Sequence, residues 1–224
     1  MKKILELEPI KKFFHLGGVI AGVFLVAFGV GAIAIGLTGR HEVRQDVARE
    51  AIVGTPDMTP KAISAEVQQA GLKNIDLPTC NVAGKSIDTG AEAKCFASYM
   101  RIHTLESTGG YTYSQMGRYT AANNAPKSAL AKGGGTDNPM YAASDPTTKQ
   151  PLANKARDLW VTETALTTAL NTSFFAEQVA LFSMVVGFAL LLAGFGFLVL
   201  AYLGVLKVRE ERKAEKAGLP IPAN

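Results

Sequence analysis

The sequence predicts an all-α membrane protein: a two-transmembrane-helix hairpin whose helices extend into an extracytoplasmic, mostly helical and loop-rich segment. Three observations carry this. Residues 16–37 form an apolar run without Asp, Glu, Lys, Arg or His, and residues 179–206 form another. Each is long enough to cross about 30 Å of hydrocarbon as a helix, which takes roughly 20 residues. The third observation is where the charge lies. Lys2, Lys3, Lys11 and Lys12 precede the first run, and Lys207, Arg209, Arg212, Lys213 and Lys216 follow the second. The stretch between the runs holds 14 basic and 14 acidic residues and is neutral.

Basic residues accumulate on the cytoplasmic side of membrane helices. The expected order is therefore a cytoplasmic segment (1–15), a first span (16–37), an extracytoplasmic segment (38–178), a second span (179–206) and a cytoplasmic basic tail (207–224). That order places the chain in the cell (plasma) membrane with both termini in the cytoplasm. Arg40, Arg44 and Arg49 run against it, since they lie just outside the first span. Long loops, however, cross largely regardless of charge. A cleaved signal peptide competes for the first run, with Lys2 and Lys3 as its basic start and Ala32-Ile33-Ala34 as a cleavage-like triplet. The run is longer than the usual apolar region of about 7–15 residues, and a polar segment precedes it.

Small residues recur every seven positions in both runs. The first has Gly22, Gly29 and Gly36, with Gly18 one turn earlier; the second has Ala180, Gly187, Gly194 and Ala201, joined by Ser183. Seven residues are two helical turns, so each set lines one face. In lipid, where apolar burial does not drive association, such faces let backbones approach. The stripes face either each other, in an antiparallel left-handed pair, or another subunit. Ion and proton paths need ionisable groups at depth, so transport by this chain alone is not expected.

Between the spans, the first helix is expected to continue through Val43, Val47, Ala51 and Ile52 to Gly54, with Pro56 beyond. Thr59 and Pro60 open a short helix over 60–70. Residues 74–85 read as extended chain carrying Cys80. Thr89 caps a helix over 90–107 that is stopped by Gly109-Gly110. This helix bears Cys95, Phe96, Tyr99, Met100 and His103. Residues 111–155 form a long loop rich in Gly, Ala, Asn, Ser, Thr and Pro, a length expected of a functional or a disordered segment; if ordered, it is expected to drape over a partner. From about residue 156, Leu159, Leu166, Leu170 and Phe174 recur at four or seven, so the second helix begins well before its span and the hairpin projects as a stalk. Trp160 packs in that stalk, and Tyr202 suits a membrane interface.

Cys80 and Cys95 both fall in the extracytoplasmic segment, where an oxidising compartment favours a disulfide. The short loop it closes is worth at most about 3 kcal/mol. No CxxC redox pair is present. Ala83-Gly84-Lys85-Ser86 resembles the end of a phosphate-binding loop, but Thr79 stands where the pattern requires glycine. His15, His41 and His103 show no zinc or iron spacing, so neither metal nor cofactor is expected. The chain is read as not an enzyme; His103, with Glu106 and Tyr99, is the one place where catalysis would be sought. The basic termini suit anionic lipid headgroups. Membrane lipids and other membrane subunits, or self-association, are the expected partners, and nucleic acid is not.

Two stretches carry a resemblance: Ala83-Gly84-Lys85 followed by HTLESTGGYTY at 103–113, and WVTETALTTALN at 160–171. They resemble small two-span membrane proteins common in actinobacteria. Some of these bear a label as an aromatic ring-opening dioxygenase subunit, which would require an iron-binding set that the sequence does not display. The expectation is a non-catalytic accessory or scaffolding subunit of an envelope complex, with a respiratory or other membrane oxidoreductase assembly as its host. An extracytoplasmic binding or sensing module is the alternative.

Overall fold

The computed structural model describes the backbone of residues 8–216 and the side chains of residues 16–204. Residues 1–7 and 217–224, the outer parts of the two basic termini, lie outside the described residues. Among the described residues there are four α-helices and no strands: α1 (Glu8–Arg49), α2 (Pro60–Gln69), α3 (Gly90–Ser107) and α4 (Lys155–Lys216). Two are long and apolar enough to cross a membrane, within Leu16–Arg49 and Lys155–Gly204. The chain divides into two compact units: Met1–Arg40 with Gln178–Asn224, and His41–Glu177.

In the apolar unit, the two small-residue stripes lie against each other. A Cβ built on Gly22 would stand 2.9 Å from the carbonyl oxygen of Gly194. One on Gly29 would stand 2.8 Å from that of Gly187, and one on Gly36 2.7 Å from that of Ala180. Each step of seven up α1 is thus a step of seven down α4, as an antiparallel pair in fixed register requires. Gly18 sits opposite Ala201 at the end of the series, with an added Cβ 3.7 Å from the Ala201 Cβ. The Ser183 hydroxyl donates across the pair to the Ala32 carbonyl at 2.9 Å. The large side chains point away: Phe28, Ile35, Phe182, Leu192 and Leu200 are all exposed. A core helix of a water-soluble protein would bury them.

The His41–Glu177 unit has a core of its own, built from Val47, Met58, Ile63, Val82, Phe96, Tyr99 and Ile102. In α2, the Thr59 hydroxyl accepts from the Ala62 N–H at 3.2 Å, with Pro60 in the first turn. In α3, Thr89 and Glu92 form a reciprocal capping box. The α3 C-terminus closes with Gly110 N–H on Leu105 C=O at 2.7 Å and Gly109 N–H on Glu106 C=O at 3.1 Å. Both glycines have positive φ, the geometry that such a helix stop needs.

One expectation needs correction. α1 ends at Arg49 rather than continuing to Gly54. Ala51 turns into the left-handed region at φ 50°, and residues 52–54 run extended. Their backbone bonds go to another segment, with Ile87 N–H on Ile52 C=O and Gly54 N–H on Lys85 C=O, both 2.9 Å. Long-range pairing overrides the helical periodicity there. The loop 111–155 is not an open chain. It folds back on itself through short turns and isolated bridges, such as Tyr119 with Thr136 and Ala121 with Ala142. Met116 packs with Leu105 and Trp160 in a second small core.

Candidate functional site

The residues singled out on α3 gather in the His41–Glu177 unit. Cys80 and Cys95 are disulfide-bonded, joining the extended segment to the first half of α3. One turn on, the Tyr99 hydroxyl donates to the Cys80 carbonyl at 2.7 Å. Tyr99 is fully buried, and burial raises its hydroxyl above the ordinary tyrosine range. This phenol is a donor to the backbone beside the disulfide.

His103 meets different partners from those its own helix suggested. Its Nε2 lies 3.1 Å from Asp57 Oδ2 and 3.6 Å from Glu66 Oε2. Asp57 comes from the turn before α2, where the Thr59 N–H binds the Asp57 carbonyl at 2.7 Å. Glu66 lies on α2 between the buried Ile63 and Val67. One ligand atom from each of the three residues falls within 4.8 Å of the others, and all three residues are half-buried. Neither His103 Nε2 nor Asp57 Oδ1 has a hydrogen-bond partner, although both atoms are shielded from solvent. The close contacts to Nε2 are therefore short approaches without hydrogen-bond alignment. Burial, then the charge of Asp57, push the Glu66 carboxyl above its usual range; Glu106 adds to this and His103 opposes it. Such a constellation suits a cation among the three donors. No spacing in the sequence signals it, because the donors come from a turn and two helices.

Glu177 is a second convergence point. It is buried, and its Oε2 accepts from the Gly90 N–H, the first residue of α3, at 2.8 Å. Its Oε1 accepts from Arg44 Nε at 3.1 Å. A carboxylate there answers both the orphan N–H groups and the positive end of the helix dipole. Glycine at 90 permits the approach: a Cβ would come within 2.8 Å of the Phe174 Cα and 2.9 Å of Glu177 Oε2. Arg49 pairs with Asp46 at 3.3 Å. Two of the three arginines that ran against the charge rule are thus ion-paired within this unit.

Beside the smaller core is an open groove of about 530 Å³, lined by Tyr113, Trp160, Val161, Thr164, Ala165 and Thr168. The Trp160 indole N–H donates to the Tyr111 carbonyl at 2.9 Å, which fixes the ring. The Arg157 guanidinium stacks 3.9 Å from the Tyr113 ring centre. Ala83-Gly84-Lys85-Ser86 forms a turn with Gly84 at φ 67°, bonded to the 52–54 segment. No protein-family model, no curated protein and no solved structure matches the chain.

Proposed function

We propose that the chain is a non-catalytic integral membrane accessory or scaffolding subunit of a larger envelope complex, anchored as a two-span hairpin. Both termini lie in the cytoplasm and the His41–Glu177 unit lies outside. A respiratory or other membrane oxidoreductase assembly is the favoured host. The observation that carries this reading is the pairing of two apolar helices through small residues, without Asp, Glu, Lys, Arg or His in either run. Such a pair anchors and does not conduct. The topology draws support from the basic residues at both ends, Lys2 to Lys12 and Lys207 to Lys216. The disulfide between Cys80 and Cys95 suits an oxidising compartment.

The groove at Trp160 favours a second reading, an extracytoplasmic module that binds or senses a ligand. Its walls are mostly apolar, and Val161 is 56% exposed. Native mass measurement of the chain, released in mild detergent from cells making it at natural levels, separates the two. A stoichiometric heteromeric complex is the expected result. A lone monomer or homo-oligomer would remove the accessory-subunit reading and favour the groove.

A further inference from the structure

The three half-buried donors at the junction of α2 and α3 point beyond anchoring. We propose that Asp57, Glu66 and His103 bind one divalent transition-metal ion of the zinc class, which ties the turn before α2 to α2 and α3.

Geometry is the first argument. Donors placed about 2.1 Å from a tetrahedral ion stand about 3.4 Å from one another. The His103–Asp57 and His103–Glu66 separations are 3.1 and 3.6 Å, and the full set falls within 4.8 Å. Little movement is needed to close three donors on one ion. Charge is the second argument. Two carboxylate oxygens face the same imidazole nitrogen, and that nitrogen has no hydrogen-bond partner. In its Nε2–H tautomer a neutral imidazole would donate to a carboxylate, but neither oxygen is aligned to accept; in the other tautomer its lone pair faces two anions, and a cation among them relieves the repulsion. Among the described residues, neither carboxylate is ion-paired with a lysine or arginine. The solvent-shielded Asp57 Oδ1 offers one more acceptor without a partner.

Donor chemistry selects the ion. One imidazole with two carboxylates suits zinc and its first-row neighbours, whereas calcium takes six to eight oxygens and magnesium keeps most of its water. The site is also built rigidly. His103 is on the helix pinned by the Cys80–Cys95 disulfide, and Glu66 is on a helix capped by Thr59. Three protein donors leave the fourth position of a tetrahedral ion to water. The competing occupant is a proton on His103 that bridges both carboxylates.

The test uses the full chain in detergent, stripped with a chelator and then loaded with Zn²⁺ or Co²⁺. Wild type is expected to retain one ion per chain after desalting, to melt at a higher temperature with Zn²⁺, and to give the intense visible absorption of tetrahedral Co²⁺. Removing even an outer partner of a metal ligand weakens binding about 10–100-fold, so Asp57→Asn, Glu66→Gln and His103→Ala should each weaken it at least that much. Asp46→Asn, an exposed acid elsewhere in the unit, should leave it unchanged. Wild type that retains no more zinc than His103→Ala would overturn the proposal and leave the proton as the bridge. If His103→Ala does not fold, Glu66→Gln decides: zinc binding and melting shift equal to wild type would overturn the proposal, and loss of both would support it.

Discussion

The two units are held together in opposite ways. In the apolar unit, contact depends on what side chains lack. Gly22, Gly29, Gly36, Gly187 and Gly194 let backbone meet backbone, and one hydroxyl bond, Ser183 to Ala32, crosses the pair. In the His41–Glu177 unit, contact depends on what side chains supply: a disulfide, a capping box, a buried carboxylate on a helix start and a tyrosine on a carbonyl. The difference follows from the solvent each unit suits. Lipid is as apolar as leucine, so burying leucine there gains nothing and close packing must hold the helices. In water, apolar burial drives collapse, and polar cross-links set the register.

Removing the disulfide should have the largest effect on the second unit. Trp160 is the chain's one tryptophan and lies in this unit, so its fluorescence follows unfolding there. Cys80→Ser with Cys95→Ser should lower stability to urea by about 3 kcal/mol, the chain-entropy value for a loop of about 15 residues. The apolar pair should persist. Unfolding of both units together would break the comparison.

Gly29→Leu is the reciprocal experiment. It sets a large side chain where even a Cβ lies 2.8 Å from the Gly187 carbonyl oxygen, and overpacking of this kind costs roughly 1–3 kcal/mol. The readout is a second disulfide from Gly18→Cys with Ala201→Cys. The built Cβ on Gly18 lies 3.7 Å from the Ala201 Cβ, within the range of a natural disulfide, about 3.5–4.5 Å. The pair should form readily in the parent and poorly with Gly29→Leu, while the Trp160 transition stays in place.

Glu177→Ala should destabilise the second unit by about 2 kcal/mol, the scale of a charge-assisted hydrogen bond. Arg44 is exposed enough to be solvated when left alone. A shift of the urea midpoint without a change in slope would mark loss of stability rather than of compactness.

The smallest effects are those of pH, and the two glutamates on short helices differ in sign. Burial pushes Glu92 up, but hydrogen bonds from Thr89 and Asp88 outweigh it and hold the carboxyl below its usual value of 4.5. Its contribution is present above that value and is lost as pH falls through the lower, folded-state value. Thr89→Ala should weaken this acid dependence and cost about 1 kcal/mol. Glu66 is raised, so in metal-free protein its effect reverses: stability declines as pH rises from 4.5 through the higher folded-state value. Glu66→Gln should flatten that decline in acid-to-neutral melting curves.

What repeats along the chain could be read from the order of amino acids alone. The two apolar runs, the seven-residue stripes from Gly22 to Gly36 and from Ala180 to Ala201, the Thr59 and Thr89 helix starts and the Gly109-Gly110 stop are local features. Periodicity and capping are set by neighbours within a few residues, so they can be read one window at a time. Only the tertiary structure decided that the stripes face each other, that α1 yields at Arg49 to pairing with the 83–87 segment, and that the loop 111–155 closes on itself. It alone brought Glu177 onto Gly90, and Asp57 and Glu66 onto His103. Those contacts join groups far apart in sequence, and their geometry is fixed by how helices pack and how buried polar groups find partners.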